Sequence, residues 1–317
     1  MKILTLEQIK EALPTVDLMH EIEAGFVAYS KGKAVVPPVG ELVMQDPPGD
    51  VHIKYGYLSG DDYYVIKIAS GFYNNPAMGL PSSNGLMLLF NQKNGELCAA
   101  LLDEGHLTDV RTAVAGAIAA KYLAPSKLTR IGIIGTGIQA RLQLQYLATV
   151  TSCRDVIVCG RDQQKLDAYC KDMSAHGFSV KFTFDAADLL RDCNLVVTTT
   201  PAFEPILEWR DSLDHGLHIT AVGSDTAEKQ ELDLEFMKSA DLIVADSISQ
   251  CLTRGEIHHA LKNAVIQENQ IVELGDVIAG TSETRTSDEQ LTIADLTGVA
   301  VQDIQISKAI FESIGST

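Results

Sequence analysis

The chain's first chemically suggestive stretch is "HIKYGYLSGDDYYVIKIASG", residues 52–71. Two strand-like runs flank the turn Ser59-Gly60-Asp61-Asp62, and each carries one lysine, Lys54 and Lys67. A lysine among apolar and aromatic neighbours either lays its stem over apolar surface and sends its head to water, or meets an anion. In "LTDVRTAVAGAIAAKYLAP" the pattern predicts a helix over Thr108–Leu123, capped by Thr108 and stopped at Ala124-Pro125. Arg111 then falls in its first turn. A cation there opposes the helix dipole, unless it points at an anion shared with the helix N-terminus. Arginine suits a carboxylate because its fork binds both oxygens. In "HITAVGSDTAEKQEL" an apolar run ends in Gly223-Ser224-Asp225, which puts Asp225 at the carboxyl end of a strand, where open sheets bind ligands. Asp225 reads either as a general acid or base, if burial raises its pKa, or as an N-cap for the next segment.

The run "RIGIIGTGIQA" places Gly135, Gly137 and Ala140 in a GxGxxA pattern between an apolar run and a helix. Gly135 permits a tight turn, Gly137 leaves room for a pyrophosphate, and Ala140 allows close helix–strand packing. Thr136, Ile138 and Gln139 complete the turn. The helix N-terminus offers free N–H groups and a partial positive charge to phosphates. The second strand ends "VIVCGRDQQ". Gly160 leaves space and Arg161 supplies a cation, which suits the 2′-phosphate of NADP; the rival is Asp162 turning back to the ribose of NAD. Thr199 and Val222 end further strand-like runs, Leu195–Thr199 and His218–Val222, and join Asp225 in the expected cofactor-binding set. The expected cofactor is NADP(H), with NAD(H) as the second choice.

These residues need a frame. The 317 residues are 46% hydrophobic and 21% charged, enough for two domains with a real core. With 42 acidic against 25 basic residues the net charge is −17, which argues against nucleic acid as a partner and makes any anion site local. No apolar run reaches membrane-spanning length, and "MKILTLEQIKEAL" does not read as a signal peptide. Six cysteines without a CxxC pair read as reduced thiols in a cytoplasmic protein, and the eight histidines show no metal-ligand spacing, so no metal is expected. Leu6–Ser30 is helical by its period. Val35–Asp103 reads as short, mainly antiparallel strands with turns at Pro37-Pro38, Pro47-Pro48-Gly49 and Asn94-Gly95. From Leu128 to about residue 297 strands alternate with helices, the pattern of a doubly wound parallel sheet. The expected division is 1–125 and 126–297, with a helix over 298–317 returning to the first domain.

Taken together, "VIKIASGFYNNP", "GLMLLFNQKNGEL", "LTDVRTAVAGAIAAKYLAP", "IGIIGTGIQA", "HITAVGSDTAEKQEL" and "ADLTGVAVQDI" resemble the ornithine cyclodeaminase/mu-crystallin family over nearly the whole chain. The resemblance implies an α/β fold: a Rossmann-type doubly wound sheet plus a β-rich dimerisation and substrate domain with flanking helices, assembled as a homodimer. It implies that Lys67 and Arg111 bind a substrate carboxylate and that Asp225 is the acid beside the substrate amine. Lys67 and Asp225 are then the residues expected to act at the reaction centre. It also implies that Gly135, Gly137 and Gln139 hold the pyrophosphate and that Val299 lies beside the nicotinamide. Two positions depart from the family pattern. Gly40 stands where many members carry a carboxylate-binding arginine, and Lys54 stands where cyclodeaminases carry a glutamate for the substrate amine. Lys54 then either joins the carboxylate clamp or faces solvent at the sheet edge. The expected activity is reduction of a small cyclic imino acid, Δ1-pyrroline-2-carboxylate or Δ1-piperideine-2-carboxylate. The alternatives are ornithine cyclodeaminase, alanine dehydrogenase and an NADPH-binding protein with little catalysis.

Overall fold

The computed structural model describes residues 1–72, 74–209, 213 and 215–315. The chain divides into two compact units, Met1–Arg111 with Val299–Thr317, and Thr112–Gly298. The first division falls inside the helix His106–Leu123, upstream of the expected boundary at 125.

Unit one is built on a seven-stranded sheet: β1 (Lys2–Thr5), β2 (Ala34–Val35), β3 (Gly40–Gln45), β4 (Pro48–Leu58), β5 (Tyr63–Gly71), β6 (Ser83–Asn91) and β7 (Leu97–Leu102). The order is β1-β7-β6-β5-β4-β2, with β3 also paired to β4. β1 joins β7 in parallel and the other pairs are antiparallel. Alternation decides which residues face the core. In β4, Lys54 and Gly56 are buried while Ile53, Tyr55 and Tyr57 are exposed. The β4–β5 register sets Lys54 directly opposite Lys67.

The expected single helix Leu6–Ser30 is two, Leu6–Ala12 and Leu18–Ser30, separated by a 3-10 turn at Leu13–Thr15. Pro14 breaks the first, and Asp17 caps the second by accepting from the His20 N–H. The C-terminal helix Ala300–Gly315 packs on Leu18–Ser30, β4 and β5. At Gly25 the approach is so close that a Cβ would lie 2.8 Å from Gln305 Cγ. Residues 316 and 317 of the expected C-terminal helix lie outside the described residues.

Unit two carries an eight-stranded, wholly parallel sheet: β8 (Ile131–Ile134), β9 (Asp155–Cys159), β10 (Ser179–Thr183), β11 (Leu195–Thr198), β12 (Leu217–Ala221), β13 (Leu242–Ala245), β14 (Ile271–Glu273) and β15 (Leu291–Asp295). The order β10-β9-β8-β11-β12-β15-β13-β14 reverses between β8 and β11, the switch point at which such sheets bind ligands. β8, β11, β12, β13 and β15 are buried along their whole length, as strands covered on both faces must be. Each fully buried Ile, Leu or Val there contributes about 1.5–3 kcal/mol. Among the described residues no helix is long and apolar enough to cross a membrane.

Candidate active site

Unit one brings the three predicted cations onto one buried surface. Lys54 is 6% exposed, Lys67 2% and Arg111 5%. The solvent-facing alternative for Lys54 is therefore excluded. Like charges directly opposite on a sheet repel, and buried charges need partners. Part of the compensation is Asp303, 1% exposed, whose Oδ2 lies 3.5 Å from Lys67 Nζ and whose Oδ1 lies 3.0 Å from Arg111 Nε. Arg111 Nη1 donates to Gln302 Oε1 at 3.0 Å. Asp303 stands in the first turn of Ala300–Gly315, where the helix dipole favours an anion. Its oxygens accept no hydrogen bond among the described residues, so charge alone holds the pair together.

Arg111 is placed differently from the sequence expectation. The helix starts at His106, and Asp103, not Thr108, serves its N-terminus: Asp103 Oδ2 accepts the Leu107 N–H at 2.8 Å. Arg111 therefore sits in the second turn. Asp103 is fully buried, and burial raises its pKa against those backbone bonds.

In unit two the glycine turn follows β8 as expected. Gly135 has φ +116°, and a Cβ there would meet Thr199 Oγ1 at 2.5 Å. Gly137 caps the helix Ile138–Leu147 without any side-chain bond, and a Cβ on it would meet nothing within 4 Å. This open cradle over an uncapped helix N-terminus fits a pyrophosphate. Thr136 lies beside Gly160, Ile138 is exposed, and Gln139 Oε1 is 3.5 Å from Gln143 Nε2. Thr199 closes the switch point by donating its N–H and hydroxyl to the Ile134 carbonyl, at 3.0 and 2.9 Å. Val222 follows β12 and is buried. At the end of β9, Arg161 is exposed, and Asp162 is engaged as N-cap of Gln163–Ala175, accepting from the Lys165 N–H at 3.0 Å. Val299, fully buried, belongs to unit one.

Asp225 lies in the loop after β12. No helix begins there, so the N-cap reading falls. Its side chain is 41% exposed and accepts from Lys229 Nζ at 2.7 Å. The burial on which the sequence reading conditioned an acid role is therefore not found at this side chain. An exposed carboxylate at a strand's carboxyl end remains able to exchange protons with a ligand.

Sequence reasoning missed three buried acids behind this loop. Glu231 accepts from Thr198 Oγ1 (2.7 Å), the Thr200 N–H (2.6 Å) and hydroxyl (2.8 Å), and the Gly223 N–H (2.8 Å). Glu256 accepts the Glu231 and Leu232 N–H groups at 2.7 and 3.2 Å. Asp295 accepts the Ile257 N–H at 2.8 Å. Burial raises all three, Glu256 to about 8. The folded protein therefore holds the Glu256 proton more tightly than the unfolded chain, whose ordinary value is 4.5. This contribution to stability is full below pH 4.5 and is lost as pH rises towards about 8. Thermal melts across that window should show a falling midpoint, and Glu256→Gln should flatten the fall; an unchanged slope in the variant would refute the assignment.

Comparison with known proteins agrees with this architecture. The family model "Ornithine cyclodeaminase/mu-crystallin family" matches residues 1–317. An uncharacterised cyclodeaminase of Sinorhizobium fredii is 42% identical over 318 residues, covering 98% of this chain and 95% of the relative. Among solved structures, Thermococcus litoralis Δ1-pyrroline-2-carboxylate reductase, in complex with NADH and L-proline, superposes with a TM-score of 0.92 at 27% identity, covering 100% of this chain and 98% of that one. An archaeal alanine dehydrogenase dimer with bound NAD gives 0.89 at 32% identity, covering 99% and 96%.

Proposed function

The chain belongs to the ornithine cyclodeaminase/mu-crystallin family, and from that premise we propose that it reduces a small cyclic α-imino acid with NAD(P)H. The substrates of this reading are Δ1-pyrroline-2-carboxylate, giving L-proline, and Δ1-piperideine-2-carboxylate, giving L-pipecolate. The observation that carries it is the buried cationic face of Lys54, Lys67 and Arg111. Such a face receives a small anion, and arginine suits a carboxylate best. Lys67 and Arg111, aided by Lys54, hold the carboxylate and thereby orient C2, and positioning of this kind removes much of a bimolecular barrier. The glycine turn at Gly135 and Gly137 and the helix N-terminus behind it would hold the dinucleotide, which when reduced would supply a hydride to C2. Asp225, directly or through a water, supplies or holds the proton on the ring nitrogen, so that hydride and proton add across the C=N bond. The relative solved with NADH and L-proline supports this chemistry.

A cyclodeamination of ornithine would bring a second ammonium to a substrate surface that already buries two lysines and an arginine. Lys54 argues against it on electrostatic grounds. Arg111→Lys should raise KM for the imino acid by about tenfold to a hundredfold, since a point charge replaces a two-pronged donor. Nucleotide Kd should stay unchanged; an unaltered KM would refute the clamp.

NADP(H) is the preferred nucleotide in this reading, on the exposed Arg161 after β9 and the engagement of Asp162 as a helix cap. Arg161→Ala should shift the ratio of kcat/KM for NADPH and NADH towards NADH by about tenfold. No shift would favour NAD(H), the nucleotide bound in both solved relatives above. The proposed setting is a cytoplasmic homodimer. All six cysteines are free thiols, and Leu42, Ile53, Tyr55 and Tyr57 form an exposed apolar face on β3 and β4 suited to a second copy.

A further inference from the structure

We propose that Glu231 is the positioning residue for the nicotinamide half of the dinucleotide site. The inference rests on the nucleotide-binding part of the proposed function and is independent of the substrate. In a doubly wound sheet the first mononucleotide half takes the adenosine, with its ribose at the end of the second strand, here β9. The nicotinamide half then falls to the loops after β11 and β12. Glu231 ties those two loops together. Its fully buried carboxylate takes one donor from Thr198, two from Thr200 and one from Gly223.

The loops are pressed so close that only glycine fits at 223: a Cβ there would lie 2.1 Å from the Thr200 carbonyl oxygen and 2.7 Å from Glu231 Cδ. Thr199, between two residues held by Glu231, is bonded in turn to Ile134, the last residue before the glycine turn. Val222 immediately precedes Gly223, and Asp225 follows it by two residues. One side chain thus fixes the backbone that presents Thr199, Val222 and Asp225.

Glu231 is itself held from behind. Glu256 accepts its N–H, and Asp295 fixes the helix that carries Glu256 through the Ile257 N–H. Burial raises the Glu231 carboxyl, an electrostatic cost that four inward-pointing donors offset. A surface acid would have sufficed for a simple loop staple. A buried acid with every lone-pair direction occupied specifies one loop geometry.

The test is Glu231→Gln. The amide keeps the shape, but its NH2 must face either the Thr200 or the Gly223 N–H, leaving a buried backbone donor unpaired. Affinities for NADPH and NADH are measured by nucleotide fluorescence, and affinity for ADP by calorimetry. The dinucleotides should bind about tenfold or more weakly, the usual scale for one unsatisfied buried donor, with ADP changed less than twofold. Equal weakening of all three ligands would mean a general structural role and overturn the proposal, as would unchanged affinities. Should Glu231→Gln fail to fold, the pair Thr198→Val and Thr200→Val removes two hydroxyl donors and leaves the carboxylate in place; it is read by the same split. Wild-type protein that binds none of the nucleotides would instead refute the nucleotide-binding reading itself.

Discussion

Replacing Asp225 by asparagine should lower kcat for imino acid reduction by about 10²–10⁴-fold, the usual contribution of a positioned acid–base group. Nucleotide Kd should stay within a few-fold. Asparagine keeps the size of the side chain and an Oδ1 that still accepts from Lys229, so the loop keeps its hydrogen-bond partner in place. What it loses is the charge and the ability to hand over or hold a proton. The Asp225 side chain is 41% exposed, but its partner Lys229 is only 8% exposed, so the loss of the carboxylate charge also bears on a buried ammonium. A melting curve is therefore measured beside the kinetics, and the loss of kcat is read on protein that melts as a folded species. Turnover within a few-fold of wild type would remove Asp225 from the reaction.

The second large effect concerns stability. Asp303→Asn should destabilise the protein by about 3–5 kcal/mol, the cost of leaving buried cations without their counter-charge. Asp303 is in ion-pair contact with both Arg111 and Lys67, and all three are nearly inaccessible to water. The urea midpoint is the measurement. The cationic face makes a further demand: L-proline, the expected product, should raise the midpoint more in the variant than in wild type, because its carboxylate supplies the missing charge and binding to the folded state is stabilising. A loss below about 1 kcal/mol, or no response to proline, would show that the cations are balanced by other means.

The glycine turn was legible because everything it needs is local: an apolar run, two glycines, a small residue and a helix within a few positions. The two strands that carry Lys54 and Lys67 were legible for the same reason, since one short turn joins them, whereas the register that sets the two lysines opposite each other came only with the structure. Asp303 was not. It lies in "GVAVQDI" near the C-terminus, and nothing in that heptad says that its carboxylate meets residues of β5 and of the helix His106–Leu123. The start of that helix was misread because "DEGHLTD" offers two capping residues, and the buried Asp103 prevails over Thr108. β15 is invisible locally, since its place between β12 and β13 is a matter of sheet order. The exposure of Asp225 and the burial of Glu231, six residues apart in one polar segment, are equally tertiary.

The most direct test adds chemically prepared Δ1-pyrroline-2-carboxylate to the protein with NADPH or NADH and follows the absorbance of the reduced nicotinamide, beside a second tube of ornithine and NAD+ assayed for ammonia. Rapid loss of the absorbance, L-proline as product and no ammonia from ornithine are the predicted results. Ammonia and proline from ornithine, with no net change in NADH and no reduction of the imino acid, would contradict the reductase reading and make the chain a cyclodeaminase.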